Sequence, residues 1–320
     1  MRIAILDDYQ DCVRTLSCFE RLEGHDVTVI NETIADPAAL AARLGDVEAL
    51  VLIRERTRVT RELVALLPSL RIVSQTARAG PHIDIAACSE RGIAVAAGSG
   101  SPYAPAELTI GLILAAMRGI VAENAALRAG RWQTLLGRSV RGRTLGILGY
   151  GNIGRLVAGY ARALGMKVLA HGREASIERA RADGVETTVS RRALFAASDV
   201  LSVHLRLAPE TRGAIVAEDF AAMPPGAAFV NTSRAELVAP GALAAALDAG
   251  RPALAAIDVF DSEPALDDPL IAHPRVLATP HIGYVERDSY ELYLGTAFEN
   301  VVAFAAGAPA GIVNPEALAG

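Results

Sequence analysis

The stretch TLGILGYGNIG, residues 144–154, joins a short apolar run to a glycine-rich turn, and an apolar stretch of helical length, residues 155–164, follows it. A GxGxxG motif between a strand and a helix favours a dinucleotide site. The first glycine allows a tight turn, the second lets the backbone approach a pyrophosphate, and the third lets helix and strand pack closely. The turn residues are therefore predicted to bind a dinucleotide: Gly149, Tyr150, Gly151, Asn152, Ile153 and Gly154.

The end of the next apolar run indicates which dinucleotide is preferred. The sequence there is VLAHGRE, residues 168–174. His171 and Arg173 stand where an NAD-type site would hold the ribose hydroxyls with a carboxylate. An arginine suits a 2′-phosphate because it offers paired, charge-assisted donors. The sequence therefore predicts NADP(H) in preference to NAD(H). The alternative is a solvated Arg173 with Glu174 at the ribose.

Short apolar runs alternate along the chain with alanine-, leucine- and arginine-rich stretches of helical length. Most of the runs lack polar alternation, as do strands that are buried on both faces of a parallel sheet. Strands and helices in alternation are typical of a doubly wound α/β fold. The apolar runs are Ile3–Leu6, Val27–Ile30, Leu50–Ile53, Ile93–Val95, Leu145–Leu148, Val168–Leu169, Val200–Val203, Ala228–Val230 and Ala255–Ile257.

The composition favours a globular protein with a small-molecule ligand. The chain has 320 residues, a length that suggests two domains, and 52% of them are hydrophobic. Its net charge of −5 argues against nucleic-acid binding, which usually needs a basic surface. Cys12, Cys18 and Cys88 form no CxxC pair and are expected to be reduced thiols. No apolar stretch reaches the length of a membrane span, so a cytoplasmic, unanchored protein is expected.

Three polar residues follow apolar runs in the second half of the chain. Arg234, Glu263 and His281 each stand a few residues beyond such a run. Ligands of open α/β sheets bind outside the carboxyl ends of the strands. Each of these residues alone would more often be structural or solvated. Their combination downstream of a dinucleotide motif predicts that they converge beside it.

Together the motifs resemble the D-isomer-specific 2-hydroxyacid dehydrogenases, which include glyoxylate/hydroxypyruvate reductases and D-3-phosphoglycerate dehydrogenases. The resemblance covers nearly the whole chain. The spacing of Arg234, Glu263 and His281, 29 and then 18 residues, is similar to that of the family's catalytic residues. The other matching stretches are AELT at 106–109, the glycine turn, NTSR at 231–234, DVFDSEP at 258–264 and TPHIG at 279–283.

The resemblance implies a division of catalytic roles. His281 would protonate the carbonyl oxygen during reduction and accept the proton during oxidation. Glu263 would hydrogen-bond the other ring nitrogen, fix the tautomer and favour the imidazolium. Arg234 would bind the substrate carboxylate and polarise the carbonyl. Asp258 would contact the nicotinamide carboxamide. The remaining residues assigned to the cofactor in this way are Thr211 and Thr232.

The same resemblance assigns residues to the substrate. The loop Thr76–Gly80 would donate backbone N–H groups to the carboxylate, and Arg54 resembles a substrate-side arginine of the phosphoglycerate branch. The loop reads TARAGPHID at 76–84 and departs from the family's usual DNID ending. Arg78 and His82 are therefore either specificity groups or surface residues. The implied substrate-binding residues are Arg54, Ala79, Gly80 and Arg234.

The family's plan divides the chain into two doubly wound domains. Residues 1–98 and 286–320, with a return helix near 286–306, would form a discontinuous, flavodoxin-like substrate-binding (lid) domain. Residues 99–285 would form a Rossmann cofactor domain. A predicted helix over Ala104–Ala122 is apolar on nearly all sides, so it is expected to be buried at a domain or subunit contact. With the resemblance, this predicts a homodimer.

The resulting hypothesis is a metal-free reductase of small 2-keto acids, such as glyoxylate or hydroxypyruvate, that uses NADPH. The alternative within the class is a D-3-phosphoglycerate dehydrogenase that uses NAD, which predicts preference for a phosphorylated substrate. The alternative from another class is a non-catalytic protein that senses nicotinamide dinucleotides. An acid–base histidine paired with a carboxylate argues against it.

Overall fold

The structure is a computed structural model that describes residues 1–318. These residues form two compact units. The first unit comprises Met1–Ser101 together with the segment that starts at Glu286, and the second comprises Pro102–Val285.

The first segment of the first unit ends after Ser101, three residues beyond the predicted end at Gly98. The Gly98 N–H donates to the carbonyl of Gln75 at 3.1 Å. The Ser101 N–H donates to the hydroxyl of Tyr293 at 3.2 Å. These bonds attach the glycine- and serine-rich segment to the first unit.

Every ladder between the strands is parallel, as the continuous apolar runs suggested. The strands are β1 (Arg2–Leu6), β2 (Asp26–Val29), β3 (Ala49–Leu52), β4 (Ile72–Gln75), β5 (Ala94–Ala97), β6 (Thr144–Leu148), β7 (Lys167–His171), β8 (Glu186–Thr187), β9 (Val200–Val203), β10 (Ala228–Asn231), β11 (Leu254–Ile257) and β12 (Val276–Ala278).

Helices connect most of these strands. The α-helices are α1 (Pro37–Leu44), α2 (Arg61–Leu66), α3 (Ile85–Glu90), α4 (Tyr103–Arg118), α5 (Ile120–Arg128), α6 (Asn152–Ala163), α7 (Glu174–Ala182), α8 (Arg191–Ala197), α9 (Ala217–Ala222), α10 (Ala242–Asp248), α11 (Pro269–Ala272) and α12 (Arg287–Ala305). Short 3₁₀ helices cover Val13–Thr15, Ser17–Leu22, Ala235–Leu237 and Pro315–Leu318.

The first unit is built on a five-stranded sheet in the order β2-β1-β3-β4-β5, which is the flavodoxin-like order. Strand β4 was missing from the predicted runs. Only Ile72 and Val73 are apolar there, because the strand ends in Ser74 and Gln75, two polar residues that are nevertheless buried. Helix α12 packs against β3, β4 and β5 and lies where a return helix was predicted.

The second unit is built on a seven-stranded sheet in the order β12-β11-β10-β9-β6-β7-β8. Strand β6 lies where the order reverses, as in a Rossmann fold. Strand β8 has only two residues and was not predicted from the apolar runs. Two hydrophobic clusters line this sheet, one around Ile147 and Val230 and one around Phe195, Phe220 and Phe229. The predicted fold class, two doubly wound parallel-sheet domains, is confirmed.

The predicted continuous helix over Ala104–Ala122 was wrong in its last turn. Gly119 adopts a left-handed conformation (φ +64°) that ends α4 and starts α5 in a new direction. Helix α4 buries Leu112, Ile113 and Met117, whereas Ile120 is exposed. Ile120, Val121 and Leu127 of α5 therefore belong to the surface of this unit.

Within residues 1–318, no single helix is both long enough and apolar enough to cross a membrane. Helices α4 and α5 meet the criteria of length and composition only as a pair, with a bend of 59° between them.

Candidate active site

The glycine turn follows β6 and enters α6. An added Cβ at Gly149, whose φ is +97°, would lie 2.6 Å from the carbonyl oxygen of His204, and one at Gly154 would lie 2.4 Å from the carbonyl oxygen of Gly149. Neither position can carry a side chain without a backbone shift. A Cβ at Gly151 would meet nothing within 4 Å. The turn therefore closes tightly on its own unit and leaves space beside Gly151, which fits a bound pyrophosphate.

The side chain of Tyr150 points away from that space. It is buried, and its hydroxyl donates to Asp183 at 3.1 Å. Burial and this carboxylate raise the pKa of Tyr150 to about 12. Asp183 also pairs with Arg155 of α6 at 2.7 Å. Tyr150 was assigned to the cofactor, but its side chain anchors the turn, so only its backbone remains for a cofactor.

The end of β7 lies against the glycine turn. The Gly149 N–H donates to the carbonyl of His171 at 2.8 Å. The His171 Nδ1 lies 3.1 Å from the carbonyl oxygen of Thr188, so this nitrogen carries the proton. Arg173 is exposed, and its side chain has no hydrogen-bond or ion-pair partner among the described residues. A free cation therefore stands beside the turn.

The structure brings His281 and Glu263 together. Nδ1 of His281 lies 2.6 Å from Oε2 of Glu263, and 24% and 35% of the two side chains are exposed. The other carboxylate oxygen, Oε1, accepts the N–H of Phe260 at 3.1 Å. The carboxylate is thus held on both sides, which directs the Nδ1 proton towards it and leaves Nε2 for a substrate.

Electrostatics keep Glu263 ionised. Burial alone would raise its pKa, but the hydrogen bond from His281 and the charges of His281 and Arg234 outweigh burial and lower the pKa below the usual glutamate value. The charge of Arg234 therefore acts on Glu263, and the three residues of the sequence hypothesis form one electrostatic group.

An asparagine that was not assigned to the site orients Arg234. Asn231 Oδ1 accepts the N–H of Ser233 at 3.0 Å, and Nδ2 donates to the carbonyl of Arg234 at 2.9 Å. Ser233 Oγ donates to the carbonyl of Val203 at 2.9 Å. This is an Asx turn at the end of β10. An asparagine two residues before a serine is the local signal that could have revealed it.

Asp258 holds the segment that carries His281. It is fully buried, and its carboxylate accepts the Thr279 hydroxyl at 2.6 Å and the N–H groups of Ile282 and Gly283, each at 2.8 Å. Burial raises the pKa of Asp258, although these donors oppose it. His281 itself has a φ of +51°, a conformation that non-glycine residues rarely adopt. Asp258, which the resemblance assigns to the nicotinamide carboxamide, thus also stabilises this strained turn.

The two assigned threonines make contacts within their own unit. Thr232 Oγ1 lies 2.8 Å from the hydroxyl of Thr109 on α4. Thr211 Oγ1 accepts the N–H of Ala208 at 2.8 Å and donates to the carbonyl of Arg206 at 2.8 Å. Both hydroxyls shape loops at the carboxyl ends of β9 and β10.

The remaining substrate candidates lie in the first unit. Arg54, just beyond β3, has a φ of +61°, and its guanidinium carbon lies 5.9 Å above the ring of Tyr293. Ala79 and Gly80 follow β4 and are half-buried. His82 is buried and therefore not a surface residue, whereas Arg78 is exposed. In residues 1–318 no cluster of three or more histidine, cysteine, aspartate or glutamate side chains could hold a metal.

Comparison with known proteins identifies the family. The model described as "D-isomer specific 2-hydroxyacid dehydrogenase, NAD binding domain" matches residues 110–283, more than half of the chain. This chain belongs to the D-2-hydroxyacid dehydrogenases. It is accordingly an oxidoreductase that uses a nicotinamide cofactor.

The relatives of this D-2-hydroxyacid dehydrogenase carry different names. It is 42% identical over 229 residues to 4-methyl-2-oxopentanoate reductase A of Aspergillus oryzae, covering 69% of this chain and 68% of the relative. It is 33% identical to D-3-phosphoglycerate dehydrogenase of Bacillus subtilis, covering 90% of this chain but only 54% of that enzyme. The crystal structure of an oxidoreductase from Ralstonia solanacearum, described as a D-3-phosphoglycerate dehydrogenase, superimposes with a TM-score of 0.98 at 53% identity, covering 100% of this chain and 98% of the other.

Proposed function

We propose that this dehydrogenase reduces small, unphosphorylated 2-keto acids such as glyoxylate or hydroxypyruvate to D-2-hydroxy acids. The observation that carries the proposal is the 2.6 Å contact between Nδ1 of His281 and Glu263, in the same unit as the glycine turn. The first unit, with residues 286–320, is proposed to bind the substrate and the second the cofactor. The nicotinamide supplies the hydride.

The residues of the second unit supply the remaining chemistry. When the carbonyl carbon is reduced, its oxygen develops negative charge and takes a proton from Nε2 of His281. Ionised Glu263 stabilises the imidazolium that must be present beforehand. Arg234 binds the carboxylate of the substrate through two parallel N–H groups, which orients the carbonyl towards His281. Arg54, Ala79 and Gly80 are proposed to complete substrate binding.

The choice of substrate rests on the relatives and on the residues together. The relative named 4-methyl-2-oxopentanoate reductase A supports an unphosphorylated 2-keto acid. The relative named D-3-phosphoglycerate dehydrogenase, together with Arg54, supports a phosphorylated one as the second candidate. That enzyme is almost twice as long as the part this chain covers, so its name alone does not decide the substrate.

A matched kinetic comparison tests the proposal. Oxidation of NADPH and of NADH is followed with glyoxylate, hydroxypyruvate, phosphohydroxypyruvate and 4-methyl-2-oxopentanoate. Turnover of an unphosphorylated acid supports the proposal. Strong preference for phosphohydroxypyruvate with NADH moves the assignment to D-3-phosphoglycerate dehydrogenase. Tight cofactor binding without any turnover contradicts both and favours a sensor of nicotinamide dinucleotides.

NADPH is proposed as the preferred cofactor because of Arg173. Its replacement by alanine is expected to raise the KM for NADPH about tenfold or more, the cost of losing a charge-assisted contact, and to leave the KM for NADH unchanged. Arg181→Ala, which removes an exposed arginine in the last turn of α7, is the matched control. A wild-type preference for NADH that Arg173→Ala does not alter would make Glu174 the ribose ligand.

A homodimer is proposed from the exposed apolar surface that begins at Gly119. Trp132 is 76% exposed and Leu136 is 99% exposed, and α5 adds Ile120 and Leu127. Leu136→Asp is expected to convert the dimer to monomers, because a charge would be buried in an apolar contact. Light scattering at micromolar concentration measures this. A monomeric wild-type protein would contradict the proposed homodimer.

The protein is further proposed to act in the cytoplasm.

A further inference from the structure

His82 is a buried histidine in the loop between β4 and α3, in the first unit. Its Nε2 lies 3.1 Å from Oε1 of Gln75, the last residue of β4. The Nε2 of Gln75 in turn donates to the carbonyl oxygens of Arg54 and Thr76, each at 2.9 Å. One glutamine amide therefore connects His82 with the segments that follow β3 and β4.

This arrangement assigns the proton on the ring. Carbonyl oxygens can only accept, so the amide nitrogen of Gln75 must face them, and its oxygen must face His82. That oxygen also only accepts, so Nε2 of His82 carries a proton. The Nδ1 of His82 is buried and has no hydrogen-bond partner within residues 1–318. A proton on Nδ1 would have no acceptor there, so the neutral ring with its proton on Nε2 fits the surroundings.

The network holds Arg54 in an unusual backbone conformation. Thr76 Oγ1 accepts the N–H of Arg54 at 2.8 Å and donates to the carbonyl of Leu52 at 2.8 Å. The Gln75 amide donates to the carbonyl of the same arginine, so the side chains of Gln75 and Thr76, at and just beyond the end of β4, fix both backbone groups of Arg54. Both Arg54 (φ +61°) and Ala77 (φ +64°) adopt left-handed conformations that require such support.

We propose that neutral His82 is a positioning residue that orients the Gln75 amide, and through it the substrate-binding segments at Arg54 and at Ala79–Gly80, so that its protonation weakens binding of the 2-keto acid. This inference rests on the proposed function, in which those segments bind substrate.

The surroundings of His82 oppose a second proton. Burial lowers its pKa, Glu55 raises it, and the charges of Arg54 and Arg58 lower it, with a net decrease. Nδ1 faces Gly80. A Cβ added to this glycine would lie 3.2 Å from Nδ1 of His82 and 3.7 Å from Oε1 of Glu55, so there is little room beside the ring nitrogen. Because the folded pKa is lowered, the neutral ring persists at neutral pH, and the effect of protonation appears as pH falls below the ordinary histidine range.

Two variants test the role by kinetics with hydroxypyruvate as substrate. His82→Leu removes the donor to Gln75 and is expected to raise the KM for hydroxypyruvate about tenfold at all pH values, with a small change in kcat. His82→Gln keeps an N–H near the position of Nε2 but does not titrate. It is expected to restore a low KM and to lack the rise in KM that the wild type shows at acidic pH. The KM for the cofactor, bound by the other unit, is the internal control.

Two kinetic outcomes would overturn the inference. One is an unchanged KM in His82→Leu. The other is an acidic rise in KM that persists in His82→Gln, because the titrating group would then lie elsewhere.

A spectroscopic measurement tests the tautomer without any turnover. The ¹⁵N shifts of the His82 ring are expected to show a neutral Nε2–H form at pH 7 in the wild type, and to change in Gln75→Leu. An Nδ1–H ring contradicts the inference whatever the enzyme turns over. The expected tautomer in a protein that reduces no 2-keto acid contradicts the proposed function and, with it, the proposed effect on substrate binding.

Discussion

His281→Ala is expected to lower kcat for 2-keto acid reduction by about 10³- to 10⁴-fold, the contribution of a positioned general acid. The alkoxide that forms during reduction then takes its proton from water. The KM for the cofactor is expected to change little, because the glycine turn lies on β6 and α6 and makes no use of the histidine. The measurement is steady-state kinetics together with a fluorescence titration of NADPH.

The chain provides a matched control for this variant. His273 also pairs with a carboxylate, with Nε2 at 3.4 Å from Asp248, but it precedes β12, whereas His281 follows that strand. His273→Ala is expected to keep the wild-type kcat. An undiminished kcat in His281→Ala would show that another group donates the proton, and the proposed mechanism would be wrong.

Most of the fold was predictable because its signals are local. A strand buried on both faces leaves a run of apolar residues, and such runs placed most of the parallel strands. Strand β4 was not predicted because Ser74 and Gln75 are polar although they are buried, and their hydrogen-bond partners lie outside the strand. Ser74 Oγ, for example, donates to the carbonyl of Ala297 at 2.9 Å. No periodicity reveals such a partner.

The candidate site was predictable as a set of residues, and its geometry was not. Residues at the carboxyl ends of parallel strands must share an edge of the sheet, which is why Arg234, Glu263 and His281 could be grouped. The support behind them depends on packing. The resemblance assigns Asp258 to the nicotinamide, and that contact stays a prediction, whereas three hydrogen bonds show that Asp258 also holds the turn of His281.

Side-chain direction is a second feature that the sequence does not show. The glycine motif locates a turn through its backbone, so it carries no information on where the residue between the first two glycines points. Tyr150 turns into the core because Asp183, at the end of α7, accepts its hydroxyl. The same limit applies to His82, whose role depends on which way the Gln75 amide is turned.

Glu263→Gln is expected to lower kcat for reduction by about 100- to 1,000-fold, a large part of the contribution of general acid catalysis. The backbone N–H of Phe260 selects the oxygen of the new amide, so its NH₂ group faces Nδ1 of His281 and donates to it. The ring then carries its single proton on Nε2. Donating that proton would leave an imidazolate, so a neutral ring is a far weaker acid than the imidazolium that Glu263 stabilises.

The pH dependence of Glu263→Gln separates this explanation from a loss of structure. Loss of the negative charge beside His281 is expected to move the pH range of fastest reduction towards acid. In the wild type the lowered pKa of Glu263 keeps the charge in place through this range. Glu236→Gln, which removes a carboxylate 3.8 Å from Arg212, is the control and is expected to leave the profile unchanged. An equally large fall in kcat with no shift of the profile would mean that Glu263 acts on the fold of its loop and not on the proton of His281.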